Sequence, residues 1–327
     1  MIRIALDIGS RKHRYAMSVD GKIEEDELVN ERPVLLAFFK KLAKRDRDVR
    51  VVMEQTGVYH WEAALAAHAA GLEVVLISPR QSVNFARALN TRTKTDRVDA
   101  RMLLQYLERM PFERWHPPGN HLMELRTIAR YLAGLTDQLT ATRNQLHACV
   151  AQGGAPKFVT HAHQLEIQRL EHRISKGRKE AMKRIEGDEQ LKAQFDALDS
   201  MVGVAETAAI ALVSELALLP TDLKAKACCA HAGLDVRHHE SGSSVQKPGR
   251  LSKQGNAYLR RALYMPALVA VVHDPAAKAH YEQLVARGKK KLQALCAVMR
   301  KMLTAAWSMM KSKESYDGVK LYQAKTC

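Results

Sequence analysis

Four carboxylates and one short serine string are the residues in this chain whose types and spacing could do chemistry. The carboxylates are Asp7, Glu54, Asp96 and Asp99; the string is Ser241-Gly242-Ser243-Ser244. Four acids drawn together from separate elements would repel one another unless cations lay between them. Oxygen donors of this hardness suit Mg²⁺ or Mn²⁺. A pair of such ions can clamp the attacking and leaving oxygens of a phosphodiester. Singly, each acid has a plainer reading: Asp7 caps a turn, Glu54 is a strand-end charge and Asp96 caps a helix.

The serine string by itself is a polar turn. Its company gives it more weight, because Arg237, Lys247, Arg250, Lys253, Arg260 and Arg261 lie within about two dozen residues of one another. Arginine binds phosphate oxygens in pairs and can stabilise a pentavalent transition state. A serine hydroxyl needs activation before it attacks. His238 and His239 adjoin the string and could act as base, or stand as solvated loop residues; metal held by the acids could activate it instead, if the loop reaches them. Cys228-Cys229-Ala230-His231 is not a zinc pattern, and His161, His163 and His172 fall on a polar helix. The run Lys289-Lys290-Lys291 is either a solvated face or a nucleic-acid contact.

The elements that must position these residues can be read from periodicity. Residues 2–8, 14–19 and 23–29 read as strands, with a turn at Asp20-Gly21. Residues 34–45 read as a helix, Val49 to Glu54 as a buried strand, 61–70 as a helix closed by Gly71, 73–79 as a strand and 82–89 as a helix. The order βββαβαβα predicts a mixed sheet with helices on its faces, with Asp7 and Glu54 on strands. Ligand sites of open α/β sheets lie at such strand ends. In the helix expected over 91–110, Asp96 sits at the N-cap and Asp99 three residues on, so both share one face of the first turn.

Pro111 and Pro117-Pro118 mark a boundary near 118. Beyond it, apolar residues at 122, 125, 129, 132, 139 and 146 predict a coiled-coil-like helix, broken by 153–156. A second, charged helix is expected over 162–197, with a short seam at 165, 167, 170 and 174. The two would form an antiparallel pair or an oligomerisation arm. The stretch from Met201 resembles a helix-hairpin-helix, a unit that meets phosphates through backbone N–H groups, with Ala205 where its second glycine would stand. Residues 256–272 and 278–310 are expected to be helical. Domains are therefore expected at 1–118, 119–198 and 199–327.

The chain has 327 residues and a formal net charge of +16. From Arg237 onward there are seventeen Lys and Arg against five Asp and Glu, so +12 of that excess lies in the last 91 residues. A polyanion is the expected partner. The five cysteines form neither a disulfide framework nor a metal pattern, which points to a reducing cytoplasm. The longest apolar run near the basic region has eleven residues and includes Pro266, too short for a bilayer of about 30 Å. No signal-peptide shape is evident, and no membrane partner is expected.

The motifs resemble those of the IS110 family of insertion-sequence transposases. They are ALDIGS around Asp7, MEQTGVYHW around Glu54, KTDRVDARML around Asp96 and Asp99, then HAGL (231–234), ESGSSV (240–245) and LSKQGNAYLRRALYMPA (251–267). The resemblance covers nearly the whole chain. It implies a ribonuclease-H/RuvC-like first domain whose tetrad Asp7, Glu54, Asp96 and Asp99 binds Mg²⁺. It implies a mainly helical C-terminal transposase domain with Ser241 as nucleophile, and an active site shared between subunits of a dimer or tetramer. It also implies a structured noncoding RNA that pairs with donor and target DNA, leaving the protein to hold backbones. Val236 departs from the family, standing where many members carry proline, as does Ala205. Two other readings remain open: a RuvC-like junction resolvase in which Ser241 is structural, and a non-catalytic nucleic-acid-binding protein.

Overall fold

The computed structural model describes the backbone of residues 1–90, 96–241 and 245–322, and side chains over the same residues except 96–98, 238–241 and 245–248. Contacts divide the chain into two units, Met1–Pro117 and Pro118–Cys327.

The first unit opens with a meander of β1 (Ile2–Asp7), β2 (Lys12–Val19) and β3 (Lys22–Val29). Asp20 and Gly21, both at positive φ (48° and 82°), close the two-residue turn between paired Val19 and Lys22, the favoured hairpin geometry for Asp-Gly. Then follow α1 (Arg32–Arg45), β4 (Val49–Glu54), α2 (His60–Ala69), β5 (Glu73–Ile77), α3 (Pro79–Ala88) and α4 (Asp96–Arg109). Sheet order is β3-β2-β1-β4-β5, with β1 antiparallel to β2 and parallel to β4. This is the mixed sheet that the element order predicts, and its strand order is the ribonuclease-H/RuvC-like one that the resemblance implies.

Strand alternation splits the core in two. Ile4, Leu6, Val51 and Met53 pack on one face with Leu35 and Phe39 of α1 and the alanines of α2. Ala5, Val52, Val75 and Ile77 pack on the other with Ala100, Leu103 and Leu107 of α4.

The second unit begins with α5 (Asn120–Gln152) and α6 (Lys157–Glu186), which turn back on each other through residues 153–156. Leu125, Ala129, Leu132 and Leu139 of the expected seam are buried, joined by Leu135 and Thr142. Gly177 lets the helices approach: a Cβ there would lie 2.8 Å from Leu132 Cδ2. The α6 seam departs from expectation, since Leu165 is 53% exposed and Leu170 carries the packing.

The stretch 162–197 is not one helix. It ends at Gly187, and Asp188 caps α7 (Glu189–Asp199), its carboxylate accepting from the backbone N–H groups of Gln190 and Leu191. Then come α8 (Glu206–Leu216), α9 (Ala225–His231), strands β6 (Val236–Ser241) and β7 (Val245–Leu251), α10 (Ala257–His273), α11 (Pro275–Ala286), α12 (Lys291–Ser312) and α13 (Gly318–Tyr322). The helix expected over 278–310 is likewise two. Gly288 at φ +82° accommodates the left-handed residue that closes α11, where Lys289 N donates to Leu284 O and Gly288 N to Val285 O, a Schellman end. Residues of α5 and α6 share one apolar core with α7–α12.

Candidate active site

In the first unit, β1 and β4 run parallel with Leu6 opposite Met53. Asp7 and Glu54 therefore stand at neighbouring carboxyl ends of the two central strands. Alternation turns both toward the face covered by α4, because Ala5 and Val52, two residues earlier, are buried in the same cluster as Ala100. Helix α4 starts at Asp96, and Asp99 in its first turn is half-buried, as are Asp7 and Glu54. Asp7 and Glu54 are thus carried to one end of one sheet face, and Asp96 and Asp99 lie in the first turn of the helix that covers that face.

Glu54 accepts a hydrogen bond from Thr56 Oγ1 at 3.1 Å. Among the described residues no three acidic, His or Cys side chains form a group that could hold a metal; the side chain of Asp96 lies outside them. The donor chemistry at this sheet edge, carboxylate oxygens with partial exposure, suits a hard divalent cation.

The loop after Asp7 is braced by residues that sequence reading passed over. Gly9 is required by space, since a Cβ would sit 2.2 Å from Lys12 O. Asn30 Nδ2 donates to Gly9 O (3.4 Å), Ser10 O (3.3 Å) and Tyr59 O (3.3 Å), tying that loop to the start of α2. Nearby His13 is fully buried with neither ring nitrogen in hydrogen-bond geometry. Burial holds its pKa below the usual imidazole range, only partly offset by the adjacent Asn30 amide.

Ser241, the first residue of the serine string, ends a strand of a hairpin. β6 and β7 pair antiparallel, with Ser241 opposite Val245 at the far end. Residues 242–244 lie outside the described residues, and the side chains of Ser241, His238, His239 and Lys247 do too. A register shift separates the Arg237–Arg250 pair from the His239–Lys247 pair. The first pair sets two arginines directly across from one another, which is destabilising in a bare hairpin.

The base of the hairpin is clamped by the 252–256 turn. Ser252 N donates to Asp235 O (2.9 Å), Lys253 N to Gly233 O (3.1 Å) and Asn256 N to His231 O (2.7 Å). Gly255 has φ +126°, and a Cβ there would meet His231 O at 2.1 Å. This close approach explains the glycine of Lys253-Gln254-Gly255-Asn256.

Asn256 also reaches inward. Its Nδ2 donates to Glu215 Oε2 at 2.6 Å while its Oδ1 caps α10. Glu215, 4% exposed, takes two bonds from Arg130 of α5 at 2.6 and 3.0 Å. Burial opposes the charge on Arg130, but the Glu215 bonds outweigh it and hold its pKa above the ordinary guanidinium value. Arg130 also lies 4.4 Å over the Tyr258 ring. The long helix α5 is therefore wired to the turn beneath Ser241. A Glu at the far end of an otherwise uncharged and largely apolar run, residues 207–216, was the available signal, since a buried carboxylate requires a partner.

The basic candidates divide. Arg237, Arg250 and Lys253 are exposed. Arg260 is half-buried and donates to Ala232 O at 2.7 Å. Arg261 bonds Ala133 O at 2.8 Å and pairs with Asp137. The last two spend hydrogen-bonding capacity holding α10 to its neighbours.

A DEDD transposase model of IS110 matches residues 4–153, and a model described as transposase, IS116/IS110/IS902 family, matches residues 196–282. The chain belongs to the IS110 family of transposases. As such it is a DNA-recombining enzyme. Among its relatives, the IS110-family chain is 26% identical over 277 residues to the pilin gene-inverting proteins of Moraxella bovis and Moraxella lacunata, covering 82% of each chain. It is 32% identical over 123 residues to an uncharacterised insertion element IS110 protein of Streptomyces coelicolor, covering 37% of this chain and 29% of that one. Thermus thermophilus RuvC in complex with a Holliday junction substrate aligns with 35% of this chain and 99% of its own, at 13% identity and a TM-score of 0.26. The fold assignment rests on the strand order of the first unit. No helix among the described residues is long and apolar enough to cross a membrane.

Proposed function

We propose that this transposase cuts and rejoins the DNA of its element through a phosphoserine bond at Ser241. The observation that carries the reading is the hairpin: Ser241 ends a strand in which Arg237 lies opposite Arg250, an arrangement that an anionic substrate relieves. Ser241 Oγ attacks the scissile phosphorus, forming a serine–phosphate ester as the P–O3′ bond breaks. The serine proton is given up and the leaving strand ends in a 3′-hydroxyl. Attack by the 3′-hydroxyl of another strand reforms the phosphodiester and frees the serine. Bond energy is conserved, as strand exchange without nucleotide loss requires.

Asp7, Glu54, Asp96 and Asp99 are the residues that would hold divalent cations, Mg²⁺ or Mn²⁺, whose charge would polarise the phosphate and favour the serine alkoxide. The adjacency of Asp7 and Glu54 on the α4 face supports this set. Exposed Arg237, Arg250 and Lys253, with Lys247 on the same hairpin, are suited to phosphate oxygens. Arg260 and Arg261 act through the scaffold. The family motifs support a structured noncoding RNA as guide to donor and target DNA, and a working homo-oligomer.

Product ends test the serine reading. The account expects no free 5′-phosphate ends from the parent enzyme and no nicking by Ser241→Ala. Normal nicking by Ser241→Ala with free 5′-phosphates would make this a RuvC-like nuclease in which the serine is structural. RNA guidance predicts that recombination of matched DNA disappears when the element's RNA is withheld; equal recombination without RNA would remove that part.

A further inference from the structure

The basic residues that sequence proximity assigns to nucleic acid are partly spent inside the fold, while a different cluster stands open. Residues 286–293, across the end of α11 and the start of α12, are exposed without interruption. They include Arg287, Lys289, Lys290 and Lys291. The Schellman end at Gly288 fixes the turn, and Gln293 Oε1 accepts from Lys290 N at 3.1 Å to hold the entry to α12. The lysines therefore project from an ordered corner.

Several other cations of this unit are neutralised locally: Arg143 by Glu171, Arg178 by Glu206, Arg130 by Glu215, each at 2.6 Å. Among the described residues none of Arg287, Lys289, Lys290 or Lys291 makes an ion pair. From Lys289 to Lys313 the chain has seven Lys and Arg and no Asp or Glu. The field of these charges is felt nearby: His280 is held below its ordinary pKa by burial and by the charges of Lys301 and Arg287.

We propose that the α11–α12 turn, residues 287–291, is a phosphate-binding surface that holds duplex DNA by its backbone, additional to the serine hairpin. Lysines on flexible stems neutralise phosphates without reading bases. A lipid surface fits less well, because the apolar face of α12 is buried in the core and Leu292 is the one large exposed apolar side chain of the corner. The proposal rests on the reading that this transposase acts on DNA.

The test is duplex-DNA binding by the full chain as a function of salt, for the parent and for the triple variant Lys289→Gln, Lys290→Gln, Lys291→Gln. The control is Lys40→Gln, Lys41→Gln, Lys44→Gln, which removes equal charge from exposed positions on α1. The turn variant should lower the slope of log K against log salt by about 2 to 3 and weaken binding roughly tenfold at low salt. Its melting temperature should match the parent's, and affinity for structured RNA should change less than affinity for DNA. An unchanged slope, an equal loss in the α1 variant, or a loss confined to RNA overturns the assignment. A parent that binds no duplex DNA sinks the DNA reading itself, and this surface with it; a binding parent with an indifferent turn variant sinks only the surface.

Discussion

At the residue scale, what each charged or buried polar side chain is bonded to decides its role. Asp7→Asn and Glu54→Gln keep size and remove charge at the sheet edge. Each should lower strand cleavage by about a hundredfold or more, the scale of lost transition-state charge stabilisation, with little change in melting temperature. Activity within a few-fold of the parent would remove these acids from the site. His13 gives a pH signature. Its folded pKa lies below the unfolded value of about 6.5 because burial disfavours the imidazolium. The unfolded chain thus binds the proton more readily, and the stabilising contribution is full above that value and lost as pH falls through and below it. Urea midpoints should drop between pH 7.5 and 5.5, and His13→Leu should flatten the drop; a drop of the same size in the variant would assign it to other groups. The four candidate acids and Ser241 can be named from sequence because each sits in a short local motif. The roles of His13, Asn30 and Glu215 cannot, since they come from partners 17 to 85 residues away.

At the element scale the strands of the first unit were legible because β-strand alternation and the Asp-Gly turn are short-range signals, whereas the strand order rests on the long-range pairing of β1 with β4. The second unit was less so. Helical periodicity runs on through Gly187 and Gly288, and only the backbone bonds around those glycines reveal two ends. The hairpin bearing Ser241 has Pro248, Gly249 and opposed cations, which mask its strand pattern. What holds it is the clamp at 231–235 and 252–256, together with Asn256, Glu215 and Arg130. Breaking a buried ion pair leaves an uncompensated charge, so Arg130→Ala should cost about 3 kcal/mol, less where water reaches the half-exposed guanidinium. Urea unfolding measures this, and a loss below about 0.5 kcal/mol would show the network to be incidental. Gly203 at φ +89° stands where a Cβ would meet Pro266 O at 2.4 Å. Gly203→Ala should destabilise by roughly 2 kcal/mol or more, and a neutral result would mean that α8 and α10 can separate freely.

At the scale of the whole molecule, the candidate acids and the candidate serine fall in different units. The acids lie in residues 1–117, while the serine and most of the net positive charge lie beyond them. A chain organised in this way is expected to work as an assembly of copies, and light scattering on the RNA–DNA complex should show at least two protomers; a strictly monomeric active species would contradict this. The central claim is that the serine becomes covalently joined to DNA with the help of the acids. The most direct measurement is a denaturing gel of labelled element-junction and target DNA incubated with Mg²⁺, RNA and parent, Ser241→Ala or Asp7→Ala protein. The account predicts a protein–DNA adduct with the parent alone. Cleavage without an adduct, undiminished by Ser241→Ala, would contradict it.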